Sequence, residues 1–388
     1  MSFLTLPARR SLTRAVKQQA ERLGFGLAGA TTPDPPLHLD VYERWVDAGR
    51  HGGMSYLAEP RARQRRANPR LILPECRSIL VLGIHHATLP ALSQPSAGSR
   101  LGQIAAYAWG ADYHDVLPGR LQALVTWLEA ETGHPVLQRS YTDTGPLMER
   151  ALAQRAGLGW IGKNTCLIHP RQGSFLLLAE ILLDLELEPD APFDEDRCGS
   201  CRRCKQACPT QCILPDRTLD AQRCISYLTI ENKGAIPLDL RPLIGNRVFG
   251  CDVCQQVCPW NQRFAAAAHD PALAARPGQV EPDLLALVEL TPQEFNRRFK
   301  GSPVQRARRR GLLRNAVVAL GNCARGTADP EAAKALARAL EDAEALVRQH
   351  AAWALGQVGG RLARQALESA TVHEPEAIVR AEILAALQ

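Results

Sequence analysis

The chain lacks any apolar run near the roughly 18 to 20 residues that a membrane span requires. No contact with a membrane is therefore expected of its 388 residues. It lacks an export core as well. Arg9 and Arg10 are twin arginines, but "SLTRAVKQQAERLG" after them is a polar amphipathic helix and not an apolar h-region. A cytoplasmic protein is expected. What the chain does hold is cysteine, twelve in all. Where thiols are kept reduced, that number argues for metal ligation and against disulfides. The length predicts two or three domains. A hydrophobic content of 46% with 22% charged residues is that of a globular protein.

The cysteines are not scattered. Cys198, Cys201, Cys204 and Cys208 read C-x2-C-x2-C-x3-C, with Pro209 next, and Cys251, Cys254, Cys258 and Pro259 repeat the ending of that run. A C-x2-C-x2-C turn wraps backbone round an iron–sulfur cubane and supplies three thiolates. In two-cluster ferredoxins the Cys before Pro ligates the other cluster. On that rule Cys198, Cys201, Cys204 and Cys258 hold one [4Fe–4S] cluster, and Cys208, Cys251 and Cys254 hold a second. The second lacks a fourth ligand, and Cys224, between the runs, is the best spare. Zinc is the alternative for C-x2-C pairs, but a three-cysteine core closed by Cys-Pro favours iron–sulfur. Cys76, Cys166, Cys212 and Cys323 are then left as small buried hydrophobes.

Residues 1 to about 187 mix helical patterns with short apolar strands, "SILVLGI" (78–84) and "SFLLLAEILLDL" (174–185), and read as an α/β domain. "DVLPGRLQALVTWLEAETG" is an amphipathic helix with a glycine stop. "ELEPDAPFDEDR" is an acidic, proline-interrupted linker into the cysteine region, 188 to 265. Gly157 to Gly162, "GLGWIG", matches G-x-G-x-x-G, but the helical "PLMERALAQRA" precedes it where a dinucleotide site needs a strand. Its glycines are expected to let the backbone approach a large flat ligand. From 266 onward "LLRNAVVALGNC", "LVRQHAAWALGQVG" and "IVRAEILAAL" echo one another, with Arg314, Arg348 and Arg380 spaced 34 and 32 residues apart. Helix pairs at that period build a HEAT-like solenoid, small Ala and Gly allowing close stacking. An ordinary helical bundle is the plainer alternative.

The net charge of +6 is unevenly placed. Eight Arg or Lys and no acid lie between Arg297 and Arg314, and residues 61–70 hold five arginines. Such stretches are either solvated faces or phosphate contacts.

Taken together, "SYTDTGPLMERALAQRAGLGWIGKNT" (140–165), "YAWGADYHDVL" (107–117), the paired cysteine runs and the terminal repeats resemble the epoxyqueuosine reductases over nearly the whole chain. The resemblance implies a nitroreductase-like α/β domain (1–187) holding cobalamin, as in the related reductive dehalogenases. It further implies a two-cluster ferredoxin-like module (188–265) and a HEAT-like repeat domain of the PBS-lyase type (266–388). The implied reaction is reduction of epoxyqueuosine to queuosine in tRNA, the last step of queuosine biosynthesis. Its partners would be the anticodon stem-loop and an unidentified reductant protein, and the enzyme would be a monomer. Asp112-Tyr113-His114 begins a cobalamin D-x-H-x-x-G box, but Leu117 stands at the glycine position. The family binds the corrin without a histidine ligand, so His114 is expected to be structural.

The resemblance implies Asp143 as the proton donor, its carboxyl expected to be raised in pKa against an apolar corrin. The alternative role for Asp143 is an N-cap of the following helix, which Thr144 could also supply. Arg66, Ala106, Asp143, Lys163, Ser174 and Asp252 are expected cobalamin contacts. Lys233, Arg308, Arg309, Arg310, Arg314 and Arg348 are expected tRNA contacts. Two other functions stay open: a reductive dehalogenase acting on small molecules, and a non-enzymatic ferredoxin-type electron carrier.

Overall fold

A computed structural model describes residues 5–86, 99–264 and 270–388. Its organising element is a four-stranded sheet in the order Leu27–Thr31, Ser78–His85, Leu176–Leu183 and Gln138–Tyr141, every neighbouring pair antiparallel. The two long strands are the apolar runs read from the sequence, and both are buried almost throughout. Alternation along a strand sends successive side chains to opposite faces. Leu80, Leu82 and Ile84 accordingly join Leu177, Ala179 and Ile181 in one core, while Ile79 and Val81 join Leu182 in another.

Two helices cover the first face. Leu6–Arg22 contributes Leu12, Val16 and Ala20, spaced by four, and Tyr113–Thr132 contributes Leu117, Leu121, Leu124 and Leu128. The latter starts where Asp112 accepts the His114 N–H and stops at Gly133, at φ 73°. Helix Glu149–Arg155 covers the other face through Leu152 and Ala153.

The acidic segment 186–197 is not a free linker. The Asp190 carboxylate pairs with Lys17 and accepts the Ala30 N–H at 2.7 Å, and Phe193 stacks on Trp160 with ring centres 5.6 Å apart. Nor do the "GLGWIG" glycines make room for a ligand. A Cβ on Gly159, at φ 148°, would stand 2.2 Å from the Ile168 carbonyl oxygen, and one on Gly157, at φ 76°, 2.7 Å from that of Ala191. The close approach is to the chain's own backbone, because Trp160–Ile161 pairs with Leu167–Ile168 in a tight two-stranded ladder.

Five helices close the chain: Arg308–Cys323, Pro330–Ala339, Ala345–Val358, Gly360–His373 and Ala377–Leu387. The repeated Ala-Leu-Gly places Gly321 against Ala354 and Gly356 against Ala386, where added Cβ atoms would meet those Cα atoms at 2.8 and 3.2 Å. Small residues let the repeats stack, as expected. The stack is docked on the rest of the molecule. One continuous core runs from Ile104 and Trp109 through Ile225 to Phe249 and on to Ile383. The Arg241–Glu382 ion pair and the bond from the Ile236 N–H to His350 Nε2 join the same parts.

Candidate functional site

The cysteines gather in two groups. Cys204 lies within electrostatic reach of Cys198 and Cys201, and Cys258 of Cys198 and Cys204. Trp160 donates its indole N–H to Cys198 Sγ at 3.4 Å and packs on Cys258. In the second group Cys251 and Cys254 both face Cys224, which in turn faces Cys208. Two sets of four thiols are the donor sets that two cubanes need. Among the described residues no His, Cys, Asp or Glu side chains converge as the ligands of one metal ion would. Two cysteines set aside as spare are also here. Cys212 Sγ is 3.5 Å from Cys208 Sγ and lies beside Cys224, while Cys166 lies beside Cys254. Spacing gave no sign of Cys166, because the Trp160–Ile168 hairpin brings it in from another part of the chain. Cys76 and Cys323 do pack as hydrophobes.

Asp252, between Cys251 and Cys254, accepts the Ala106 N–H at 2.7 Å, and its charge acts on Cys251 and Cys166. Burial pushes its carboxyl up to about 6. Next to Ala106, the half-buried Tyr107 meets Tyr113 edge-on at 6.2 Å and feels the charges of both Asp143 and Asp252. The second thiol group is thereby linked, through Asp252 and Tyr107, to the loop that carries Asp143.

That loop is tightly built. Thr142 donates its hydroxyl to the Leu178 carbonyl at 2.9 Å, and Tyr113 donates its own to Asp143 Oδ2 at 2.8 Å. The Asp143 N–H donates to Glu149 Oε1 at 2.7 Å. Asp143 sits at φ 57°, a left-handed conformation that a non-glycine residue adopts only when held there. It is exposed. It is no N-cap, for the next helix begins at Glu149 and Met148 precedes it without a side-chain cap. Thr144 does not cap it either. Beside the loop opens a cleft of about 340 Å³ walled by His114, Ser140, Tyr141 and Thr144, within the size range of small-ligand sites. His114 is held by Asp112 through Nδ1 at 2.8 Å, a bond that raises its pKa. Sequence reasoning overlooked Tyr113, Glu149 and the wholly buried Glu180. Tyr113 and Glu149 lie inside the quoted motifs, but no spacing ties them or Glu180 to Asp143; the sheet and the long helix bring them there.

The other expected cofactor contacts divide. Arg66 is buried, lies 5.7 Å over the Tyr42 ring, and among the described residues keeps Nη1 without a hydrogen-bond partner. Tyr56 feels the charges of both Arg66 and Asp143. Lys163 instead bonds the Gly199 and Cys201 carbonyls, the latter at 2.9 Å, bracing the first cysteine turn. Ser174 is buried, its hydroxyl accepting from Gln255 at 3.1 Å and Asn261 at 2.9 Å. It braces the second cysteine segment.

The basic residues divide too, and here the structure corrects the sequence reading. Arg314 is wholly buried, and its guanidinium serves the carbonyls of Leu228, Asn232 and Gly234 and the Asn315 side chain. Burial pulls its pKa down to about 10. It clamps the solenoid to the module and offers nothing to a phosphate. Arg348 is likewise taken, paired with Glu374 at 2.8 Å and bonded to the Asp342 carbonyl. Arg309 pairs with Asp342 and bonds the Leu290 carbonyl. Left facing solvent are Arg308, Arg310 at partial exposure, and Lys233, whose amine also bonds the Ile230 carbonyl. Arg297, Arg298 and Lys300 extend the exposed basic surface.

Three family models match in turn. The model described as epoxyqueuosine reductase QueG, DUF1730, covers residues 66–144, the 4Fe-4S double cluster binding domain covers 197–261, and HEAT repeats cover 305–388. An epoxyqueuosine reductase of Pseudomonas aeruginosa is 40% identical over 356 residues, 91% of this chain and 96% of the relative. That of Escherichia coli is 37% identical over 354 residues, 89% of each. A crystal structure of epoxyqueuosine reductase with an epoxyqueuosine-modified tRNA-Tyr stem loop superposes with a TM-score of 0.87 at 33% identity, covering 97% of this chain and 98% of that one. The Bacillus subtilis enzyme, solved with its catalytic-aspartate loop swung out of the active site, gives 0.85 at 32% identity over 97% and 98%. With its double-cluster module, its HEAT repeats and this similarity along almost its full length, the chain belongs to the epoxyqueuosine reductases, a family of oxidoreductases.

Proposed function

We propose that this enzyme reduces epoxyqueuosine to queuosine in the anticodon stem-loop of tRNA, with Asp143 as proton donor and two [4Fe–4S] clusters as the electron route. The observation that carries the reading is the Asp143 loop. One carboxylate is held at φ 57° by Tyr113 and Glu149, beside an open cleft and a short link from the second thiol group. The net change opens the oxirane: two C–O bonds break, a C=C bond forms, and two electrons and two protons carry the oxygen off as water. A departing oxygen needs a proton from a positioned acid, and Asp143 would give it.

Electrons from a reductant protein would enter at the exposed side of the Cys198–Cys204 turn and pass to the Cys208, Cys224, Cys251 and Cys254 group. Cobalamin fits the residues present, because Arg66 keeps a buried donor unmet and shares Tyr56 as a charge neighbour with Asp143. When bound it would supply low-potential reduction at the carbon centre, held by Arg66, the Ala106 backbone and Asp252. The chain would work as a cytoplasmic monomer in three parts, residues 1–187, 188–265 and 266–388. Arg308, Arg310, Lys233 and the 297–300 cations would meet tRNA phosphates. The test is anaerobic reconstitution, an absorption spectrum for corrin and clusters, and nucleoside analysis of epoxyqueuosine-containing tRNA after turnover. Queuosine formed only by protein loaded with both cofactor types supports the reading. Queuosine formed without the corrin overturns its cobalamin part.

A further inference from the structure

The role given to Asp143 leaves the carboxyls behind it unexplained. Glu180 lies on the inner strand Leu176–Leu183, opposite Val81 on one side and Tyr141 on the other, and is 0% exposed. Leu177, Ala179 and Ile181 point to one core, so Glu180 points to the opposite face with Leu178 and Leu182. Among the described residues, neither of its oxygens accepts a hydrogen bond from an amide, hydroxyl or cationic donor. The polar group beside it is the carboxyl of Glu149, which also accepts the Asp143 N–H. A leucine would fill this space without burying an unmet polar group. What the carboxyl adds is a proton. Two adjacent carboxyls, one wholly and one half-buried, resist ionising together, and a single retained proton bonds one to the other.

We propose that Glu149 and Glu180 form a proton-sharing carboxyl pair that positions the Asp143 loop, holding it in the left-handed conformation and releasing it when the shared proton is lost. The inference rests on the reading of Asp143 as proton donor. Glu149 stands in the first helical turn with one oxygen on the Asp143 amide, so its aim fixes where the loop stands. Glu180, donating from a rigid strand, fixes that aim.

The groups facing the pair are Asp143 on the loop, Arg150 on the same helix and Tyr113 on the long helix. Burial and then the Asp143 charge push Glu149 up to about 7, and burial and then the Glu149 charge push Glu180 well above the usual carboxyl range. Raised carboxyl pKa values stabilise at low pH and lose that contribution as pH climbs through them. The hold is therefore complete below the ordinary carboxyl range and is lost as pH rises through the raised values.

The experiment joins deuterium uptake by peptide 141–149, corrected for intrinsic exchange, to single-turnover rates of the reconstituted enzyme between pH 6 and 9. Glu180→Gln donates to Glu149 through its amide and does not titrate. It is expected to keep wild-type protection and turnover at pH 6.5, within about twofold, and to abolish the alkaline fall in both. Glu149→Ala should lose protection at every pH by on the order of tenfold, equivalent to one pK unit of loop stability, with cluster content intact. An alkaline limb unchanged in Glu180→Gln overturns the proposal. So does full protection in Glu149→Ala, or a folded Glu180→Gln inactive at every pH, which would make the pair a proton relay instead. Repeating the uptake in Asp143→Asn separates the two readings. Wild-type turnover there would remove the donor role of Asp143, while the protection data would still judge the pair.

Discussion

Replacing Arg314 with Leu separates a clamp from a nucleic-acid contact at one position. Its guanidinium makes hydrogen bonds to the Leu228, Asn232 and Gly234 carbonyls at 2.5, 2.8 and 2.6 Å, and to Asn315 Oδ1 at 3.0 and 2.8 Å. Leucine leaves three carbonyls without that donor in a site with no solvent exposure. Each such loss costs roughly 1 to 3 kcal/mol. Part is recovered because the buried cation no longer has to be desolvated. A net loss of about 3 to 5 kcal/mol is expected, read as a lower urea midpoint for the transition that includes the solenoid. The salt slope of tRNA binding by the folded fraction should stay at the wild-type value, because no phosphate contact has gone. Replacing Arg308 and Arg310 with Gln should do the reverse, leaving the midpoint alone and flattening the slope by roughly 0.7 to 0.9 per lost phosphate contact. A shallower slope with an unchanged midpoint in Arg314→Leu would refute the assignment.

Other expectations follow from single sites. Cys224→Ala should lower iron content after reconstitution, whereas Cys212→Ala should keep eight irons; the opposite pattern would make Cys212 the fourth ligand of the second group. Gly159→Ala should destabilise the Trp160–Ile168 hairpin, because its Cβ would meet the Ile168 carbonyl oxygen at 2.2 Å; an unchanged melting temperature would contradict this. His350 is buried and neutral, bonded to the Ile236 N–H and the Leu346 carbonyl, and burial holds its pKa well below 6.5. A depressed folded pKa gives stability that is present at neutral pH and lost in acid, beginning near the unfolded value of about 6.5. His350→Gln should flatten the stability profile below that pH, and an unaltered profile would assign the acid loss elsewhere.

The parts most legible in the sequence were those with a short repeat. Alternating and continuous apolar runs marked the two long strands, and the cysteine spacing marked two ligand groups. The Ala-Leu-Gly echo marked repeats whose glycines now face alanines. Family membership then excludes a pure electron carrier and favours the reductase over the dehalogenase reading. What stayed hidden depends on tertiary meetings. Arg314 and Arg348 looked like phosphate contacts because a repeated arginine has the same letter whether it faces carbonyls or solvent. Cys166 and Glu180 become neighbours of the second thiol group and of Asp143 only when a hairpin and an inner strand are in place. The acidic stretch 186–197 looked like a linker, and its Asp190 and Phe193 contacts need partners from distant elements.

The central claim is that Asp143 delivers the proton. Asp143→Asn is nearly isosteric, can still accept from the Tyr113 hydroxyl and keeps the backbone N–H that Glu149 holds, yet it cannot release a proton at neutral pH. The decisive measurement is single-turnover conversion of epoxyqueuosine-containing tRNA by pre-reduced enzyme, which removes electron delivery from the comparison. The account predicts a folded Asp143→Asn protein with full iron and corrin content and normal tRNA binding. Its rate should be lower by on the order of 10² to 10⁴. Wild-type turnover by that protein would contradict it.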